Sequence, residues 1–159
     1  MPKKIWDENF PLDSQDSYRH WTPVTIRFSD QDPLGHVNNV AYAAYIEASR
    51  TMFIGNVLDL ITDKDVDFIL VSVKIDYFKE IFYPGTIQVG ARVIRLGNKS
   101  FTTGFGVFLN EDCVATSESV NVFFSMRARK TIAIPEFART LLTEDPMLES
   151  RSSNYSRGY

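Results

Sequence analysis

The residues Asp32-Pro33-Leu34-Gly35-His36-Val37-Asn38-Asn39 gather a carboxylate, an imidazole and two side-chain amides around a Pro-x-Gly turn, just ahead of an apolar segment with helical periodicity. The first N–H groups of a helix have no partners within it and attract developing negative charge. A carboxylate or imidazole beside such groups suits attack on a carbonyl, with the side chain as base or nucleophile and the N–H groups receiving the oxyanion. Asp32 is the candidate base or nucleophile, although Asp before Pro is equally a turn starter. His36 can orient substrate or water, or cap the local backbone. Asn38 and Asn39 can grip a carbonyl or a water. Asn is also a preferred N-cap, and a cap leaves further N–H groups free.

The elements that must position these residues follow from hydrophobic periodicity. Val24-Thr25-Ile26-Arg27-Phe28 alternates as a half-buried strand and ends at Ser29-Asp30. From residue 40 to about 55 only Glu47 and Arg50 are charged, while Ala41, Ala44, Tyr45, Ala48 and Met52 recur at helical spacing. Gly55-Asn56 offers a stop or a bend. A helix so apolar must be covered nearly all round. From residue 66 the period changes to two, with Ile69, Val71, Val73, Ile75 and Tyr77 alternating against Leu70, Ser72, Lys74 and Asp76. After the Tyr83-Pro84-Gly85-Thr86 turn come β-rich runs over 87–96, 100–109 and 114–126 on short turns, so four consecutive strands are predicted as an antiparallel meander. Pro135 to Leu142 reads as a short terminal helix.

A strand, one long buried helix and four antiparallel strands require a sheet curled around the helix. Edge strands remain, and pairing two copies edge to edge removes that liability, so a homodimer or a dimer of dimers is expected. Residues 1–20 read as an irregular arm, packing Trp6 or Phe10 locally at best, 21–145 as the folded domain and 146–159 as a polar tail.

The bulk numbers agree with one core. The chain has 159 residues, 44% of them hydrophobic. A net charge of -3 provides no basic footprint for nucleic acid. A single cysteine, Cys113, excludes an intramolecular disulfide, no apolar signal core stands at the amino end, and no apolar run approaches the roughly 20 residues of a membrane span. A cytoplasmic protein without membrane partner is the expectation. His20 is the only other histidine, so no zinc site is expected.

Several segments, in order, are similar to the hot-dog-fold acyl-CoA thioesterases of the 4-hydroxybenzoyl-CoA thioesterase type. The carriers are Arg27-Phe28-Ser29-Asp30-Gln31-Asp32, Gly35-His36-Val37-Asn38-Asn39, Tyr42, Tyr45-Ile46-Glu47-Ala48-Ser49-Arg50, Val73-Lys74-Ile75-Asp76-Tyr77, Gly97-Asn98-Lys99-Ser100-Phe101 and Ile134-Pro135-Glu136. The resemblance implies an α+β hot-dog fold, a curled antiparallel five-stranded sheet wrapped around one long central helix. It implies an acyl-CoA substrate, fatty or aromatic, hydrolysed without cofactor or metal, with an acyl carrier protein thioester or mere acyl-CoA binding as alternatives. Asp32 matches the family's catalytic carboxylate, and the Asn39 backbone N–H matches its oxyanion hole. Some branches carry His at the position of Asn39; here the His is at 36. Asp30 and Glu47 are further carboxylates, with turn capping and pairing to Arg50 as their bland readings. Gly35, Asn38, Lys99 and Ser100 are candidate substrate contacts. Lys99, Arg127, Arg129 and Lys130 are possible grips for the phosphates of coenzyme A, or solvated loop charges. Phe101, Phe105, Phe123 and Phe124 read as core or acyl-tunnel lining.

Overall fold

The computed structural model describes residues 3–4 and 11–143. Strands β1 (Lys3–Lys4), β2 (His20–Ile26), β3 (Val66–Tyr77), β4 (Gly85–Leu96), β5 (Ser100–Leu109), β6 (Asp112–Ser125) and β7 (Lys130–Thr131) form one sheet. Helices α1 (Asn39–Leu58) and α2 (Glu136–Thr143) complete the fold. The five long strands curl around α1 as expected. All the pairings are antiparallel, in the order β4-β5-β6-β3, with β2 and β1 sharing the other edge of β4 and β7 pairing β6.

Helix α1 is the axis of the core. The Asn38 side chain caps it by accepting the Val40 N–H at 2.8 Å, and alanines at 41, 43, 44 and 48 favour it. Its twenty residues, about 30 Å long, run past Gly55, where a stop or a bend was expected, to Leu58. Ile54, Asn56 and Val57 are buried, so packing against the sheet outweighs the glycine. Ile46, Phe53 and Ile54 meet Ile87, Val89, Phe101, Phe105 and Phe123 in the main core. Phe101, Phe105 and Phe123 are fully buried, and Phe124 is half-buried beneath the Arg129 guanidinium.

The predicted four-strand meander needs one correction. β4, β5 and β6 follow one another, but β3 pairs with β6 at the far edge and not with β4. The connector 78–84 does not reverse tightly. Phe78 and Lys79 donate to the Val114 carbonyl, and the Ile81 carbonyl accepts the Val37 N–H at 2.9 Å. The chain is drawn across the end of the sheet, past the start of α1, before entering β4. β3 is left exposed on both faces over most of its length, with Ile69, Leu70, Val71, Val73 and Tyr77 open to solvent.

The strand predicted over Val24–Phe28 also differs: it is β2, starting at His20 and ending at Ile26, with Phe28–Asp30 in a single 3₁₀ turn. The arm read as irregular lies, over residues 11–19, as a strap on the outer face of β4 and β5. Leu12 and Tyr18 lie over Gly90, Gly104 and Gly106. Trp6, Phe10 and the 146–159 tail lie outside the described residues. No described helix is long and apolar enough to cross a membrane.

Candidate active site

The turn ahead of α1 is built on Asp30. Its carboxylate accepts the Arg27 N–H at 2.9 Å, the Arg27 guanidinium at 3.0 and 2.8 Å and the Tyr45 hydroxyl at 2.6 Å. Burial alone would raise its pKa, but these hydrogen bonds outweigh burial and hold it below the ordinary range. With both oxygens occupied, Asp30 fastens the turn to α1, and its backbone carbonyl takes the Asn38 N–H at 2.8 Å. The bland reading of this carboxylate is the observed one.

Between Asp30 and the helix the chain makes a closed loop. Gln31 and Val37 form an isolated bridge, the Asp32 N–H donates to the His36 carbonyl at 3.0 Å, and the Gly35 N–H donates back to the Asp32 carbonyl at 3.0 Å. Pro33 and Leu34 are the central residues of that turn, and Gly35 carries the positive φ of 86° that follows it. Gly35 therefore shapes the loop.

The loop brings Asp32 and His36 together. Asp32 Oδ1 accepts the Leu34 N–H at 2.9 Å, and Oδ2 lies 3.1 Å from His36 Nε2. The other ring nitrogen, Nδ1, lies 2.9 Å from Glu80 Oε1. Both members of the Asp32–His36 pair keep about a fifth of their side-chain surface exposed. Asp32 thus has its turn role and retains lone pairs for a second one. Glu80 is the residue that sequence reading missed. It stands 44 positions from His36, and beside Lys79 it reads as a solvated charge.

In front of His36 opens a cleft of about 190 Å³ lined by His36, Asn39, Tyr42, Tyr77, Phe78 and Glu80, among others. The Asn38 side chain takes the Val40 N–H and the Asn38 carbonyl takes the Ala41 N–H. The Asn39 N–H is left without an acceptor among the described residues. It is a ready donor at the cleft. Tyr42 and Tyr77 stand edge to face, 5.2 Å between ring centroids, and Tyr77 ties its hydroxyl to the Asn39 carbonyl at 3.2 Å.

Other candidates lie elsewhere. Lys99 and Ser100 follow β4 at the end opposite Gly85, the end that pairs with Ile26 near the loop. Arg127, Arg129 and Lys130 sit at that same remote end, in the turn after β6 and at the start of β7. Within one chain these basic residues are not brought to Asp32. Glu47 is exposed and lies 3.7 Å from buried Arg50, which matches its pairing reading. Burial pushes the Cys113 thiol up to about 11, away from nucleophile chemistry. Among the described residues no group of three or more His, Cys, Asp or Glu could hold a metal ion. Around His36 the two carboxylates stand at opposite ring nitrogens and do not converge.

Comparison with known proteins identifies the family and the fold. The profile of the thioesterase-like superfamily matches residues 26–142. A curated 1,4-dihydroxy-2-naphthoyl-CoA hydrolase of Microcystis aeruginosa is 28% identical over 116 residues, covering 70% of this chain and 83% of that protein. Among solved structures, a protein of Pseudomonas aeruginosa strain PAO1 superposes with a TM-score of 0.73 at 35% identity, covering 83% of this chain and 94% of its own. A thioesterase of Thermus thermophilus, solved with coenzyme A and Zn, superposes with a TM-score of 0.69 at 27% identity, covering 79% of this chain and 98% of its own.

Proposed function

Because the chain belongs to the thioesterase-like superfamily, we propose that it hydrolyses acyl-CoA thioesters, with a fatty or aromatic acyl group, to the free acid and coenzyme A. The observation that carries the reading is the meeting of Asp32 and His36, 3.1 Å apart, with the unoccupied Asn39 N–H at one cleft. The thioester carbonyl oxygen docks on that N–H, which carries the positive end of α1 and stabilises the tetrahedral oxyanion. Asp32 draws the proton from the attacking water, or attacks directly to give an anhydride that water then opens. The C–S bond breaks as the carbonyl re-forms. The thiolate is a good enough leaving group to need no strong acid. The aromatic wall of Tyr42, Tyr77 and Phe78, together with the naphthoyl-CoA hydrolase relative, supports trying aryl esters first.

The working unit is a homodimer in this reading, alone or as half of a tetramer. The exposed outer edge of β3 is the open end of the sheet, and a second copy pairing there extends it. Antiparallel pairing carries the 126–130 turn of the second copy toward the Tyr77 end of β3, where the cleft lies. Arg127, Arg129 and Lys130 then face the exit of the cleft, as grips for the phosphates of coenzyme A, with Lys99 and Ser100 two strands behind.

The test is thiol release from acetyl, medium-chain, long-chain and benzoyl-type CoA esters, wild type beside Asp32→Asn. We expect turnover concentrated on one acyl class and a loss of about 10²-fold or more in the variant, the scale of a lost general base. A well-folded Asp32→Asn protein with near-normal turnover removes Asp32 from the mechanism. Absence of turnover on every ester by wild type overturns the acyl-CoA reading and turns attention to carrier-protein thioesters.

A further inference from the structure

Glu80 is held in place on both sides. The preceding carbonyl, of Lys79, accepts the Tyr42 hydroxyl at 3.0 Å, and the following one, of fully buried Ile81, accepts the Val37 N–H at 2.9 Å. These bonds hold the backbone on either side of Glu80, whose side chain is 65% exposed. The result is a carboxylate delivered to the one ring nitrogen of His36 that Asp32 does not meet, Glu80 Oε1 to Nδ1 at 2.9 Å. The charged and titratable groups around the ring are Asp32 from its own loop, Glu80 and Lys79 from the 78–84 connector, Tyr42 from α1 and Tyr77 from β3. Lys79 turns away to Asp112 at 3.3 Å, and Tyr77 is engaged with the Asn39 carbonyl. The Glu80 carboxylate is hydrogen-bonded to the ring, and the Asp32 carboxylate stands 3.1 Å from Nε2.

A neutral imidazole has one N–H and one lone pair, so it donates to only one of two carboxylates. We propose that Glu80 is a positioning residue that holds the proton of neutral His36 on Nδ1 and so keeps Nε2 turned toward Asp32 as a proton acceptor. The proposal rests on the acyl-CoA hydrolase reading and adds a destination for the proton. As water attacks the carbonyl, its O–H bond breaks and the C–O bond forms, and Asp32 takes the proton. Nε2 receives it across the 3.1 Å contact, which returns Asp32 to a carboxylate. The imidazolium, flanked by Glu80, passes the proton to the departing thiolate sulfur or to solvent. Without an acceptor at Nδ1 the ring is free to rotate or to place its proton on Nε2, and that path closes.

Two readouts test this. The chain contains only two histidines, so the ring ¹⁵N signals of His36 are resolved against His20, which serves as internal reference. Wild type is expected to show Nδ1 protonated. Glu80→Gln, which keeps an acceptor oxygen, retains that signature and stays within about 3-fold of wild-type kcat. Glu80→Ala loses the signature and about 10-fold in kcat, with KM moving less than about 2-fold. In a His36→Asn background, Glu80→Ala has no further effect, because the two act through one path. An Nδ1 signature unchanged in Glu80→Ala overturns the proposal, as does a kcat loss of the same size with His36 absent. The ¹⁵N readout requires no substrate, so failure of the hydrolase reading and failure of the Glu80 assignment are told apart.

Discussion

At the scale of single residues the site separates two aspartates two positions apart by what surrounds them. Asp30 spends its oxygens on Arg27 and Tyr45 and is 4% exposed. Asp32 keeps an open side toward His36 and solvent. A second residue-scale consequence concerns His20, which is buried on β2 against the Phe53 ring, with Thr22 Oγ1 at 3.4 Å as its polar neighbour. Burial depresses its pKa from 6.5 to about 4. The unfolded chain therefore binds a proton below pH 6.5 that the folded chain refuses until about pH 4. Stability is full above that window and falls as pH drops through it, by about 3 kcal/mol at its lower end. Urea unfolding of His20→Gln at pH 7, 5.5 and 4.5 should show a flatter acid slope than wild type. Equal acid losses in the two proteins would remove His20 from the explanation.

At the scale of elements, the outer face of the sheet shows why an irregular segment is ordered. Gly90 and Gly106 are direct cross-strand partners on β4 and β5, and the missing side chains make a trough for the 11–19 strap. A Cβ on Gly106 would stand 2.6 Å from the Leu12 carbonyl oxygen, a backbone atom that cannot step aside alone. Tyr18 gives its hydroxyl to the Leu12 carbonyl, and Arg92 donates to the Ser17 carbonyl at 3.0 Å. Burial raises the Tyr18 phenol well above its ordinary pKa, so this donor stays protonated. Gly106→Ala is expected to cost about 1–3 kcal/mol through overpacking and to lift the strap, read as a lowered Tm together with faster proteolysis before residue 20. An unchanged Tm with a protected strap would mean that the trough does not depend on that glycine.

At the scale of the whole molecule, the unpaired edge of β3 sets the expectation for assembly. Val71 is 55% exposed and Val73 45%, and Val71 sits at the irregularity where the β3–β6 register shifts. Charges on such an edge oppose strand addition. Light scattering on a Val71→Lys, Val73→Lys double variant should report a monomer where wild type is at least a dimer. Thiol release should fall with it, since the basic 126–130 turn of a second copy no longer reaches the cleft. A wild-type monomer of full activity would refute both halves of this expectation.

The chain by itself determined what depends on neighbours along the backbone. Helix α1 and its Asn38 cap, the long strands, the Gly35 turn and the Asp32–His36 proximity are all encoded within a few residues, by side-chain period and turn chemistry. Even the curl of the sheet followed, because one apolar helix had to be covered. What only the tertiary structure decided depends on contacts between distant segments. It moved β3 to the outside edge, through backbone bonds from 78, 79 and 81 that no periodicity reveals. It laid the amino-terminal strap into a trough of absent side chains, and it separated Lys99 and Ser100 from Asp32 by the length of β4. It also brought Glu80 across the end of the sheet to His36, because that carboxylate acquires its partner only when the connector is pinned against the start of α1.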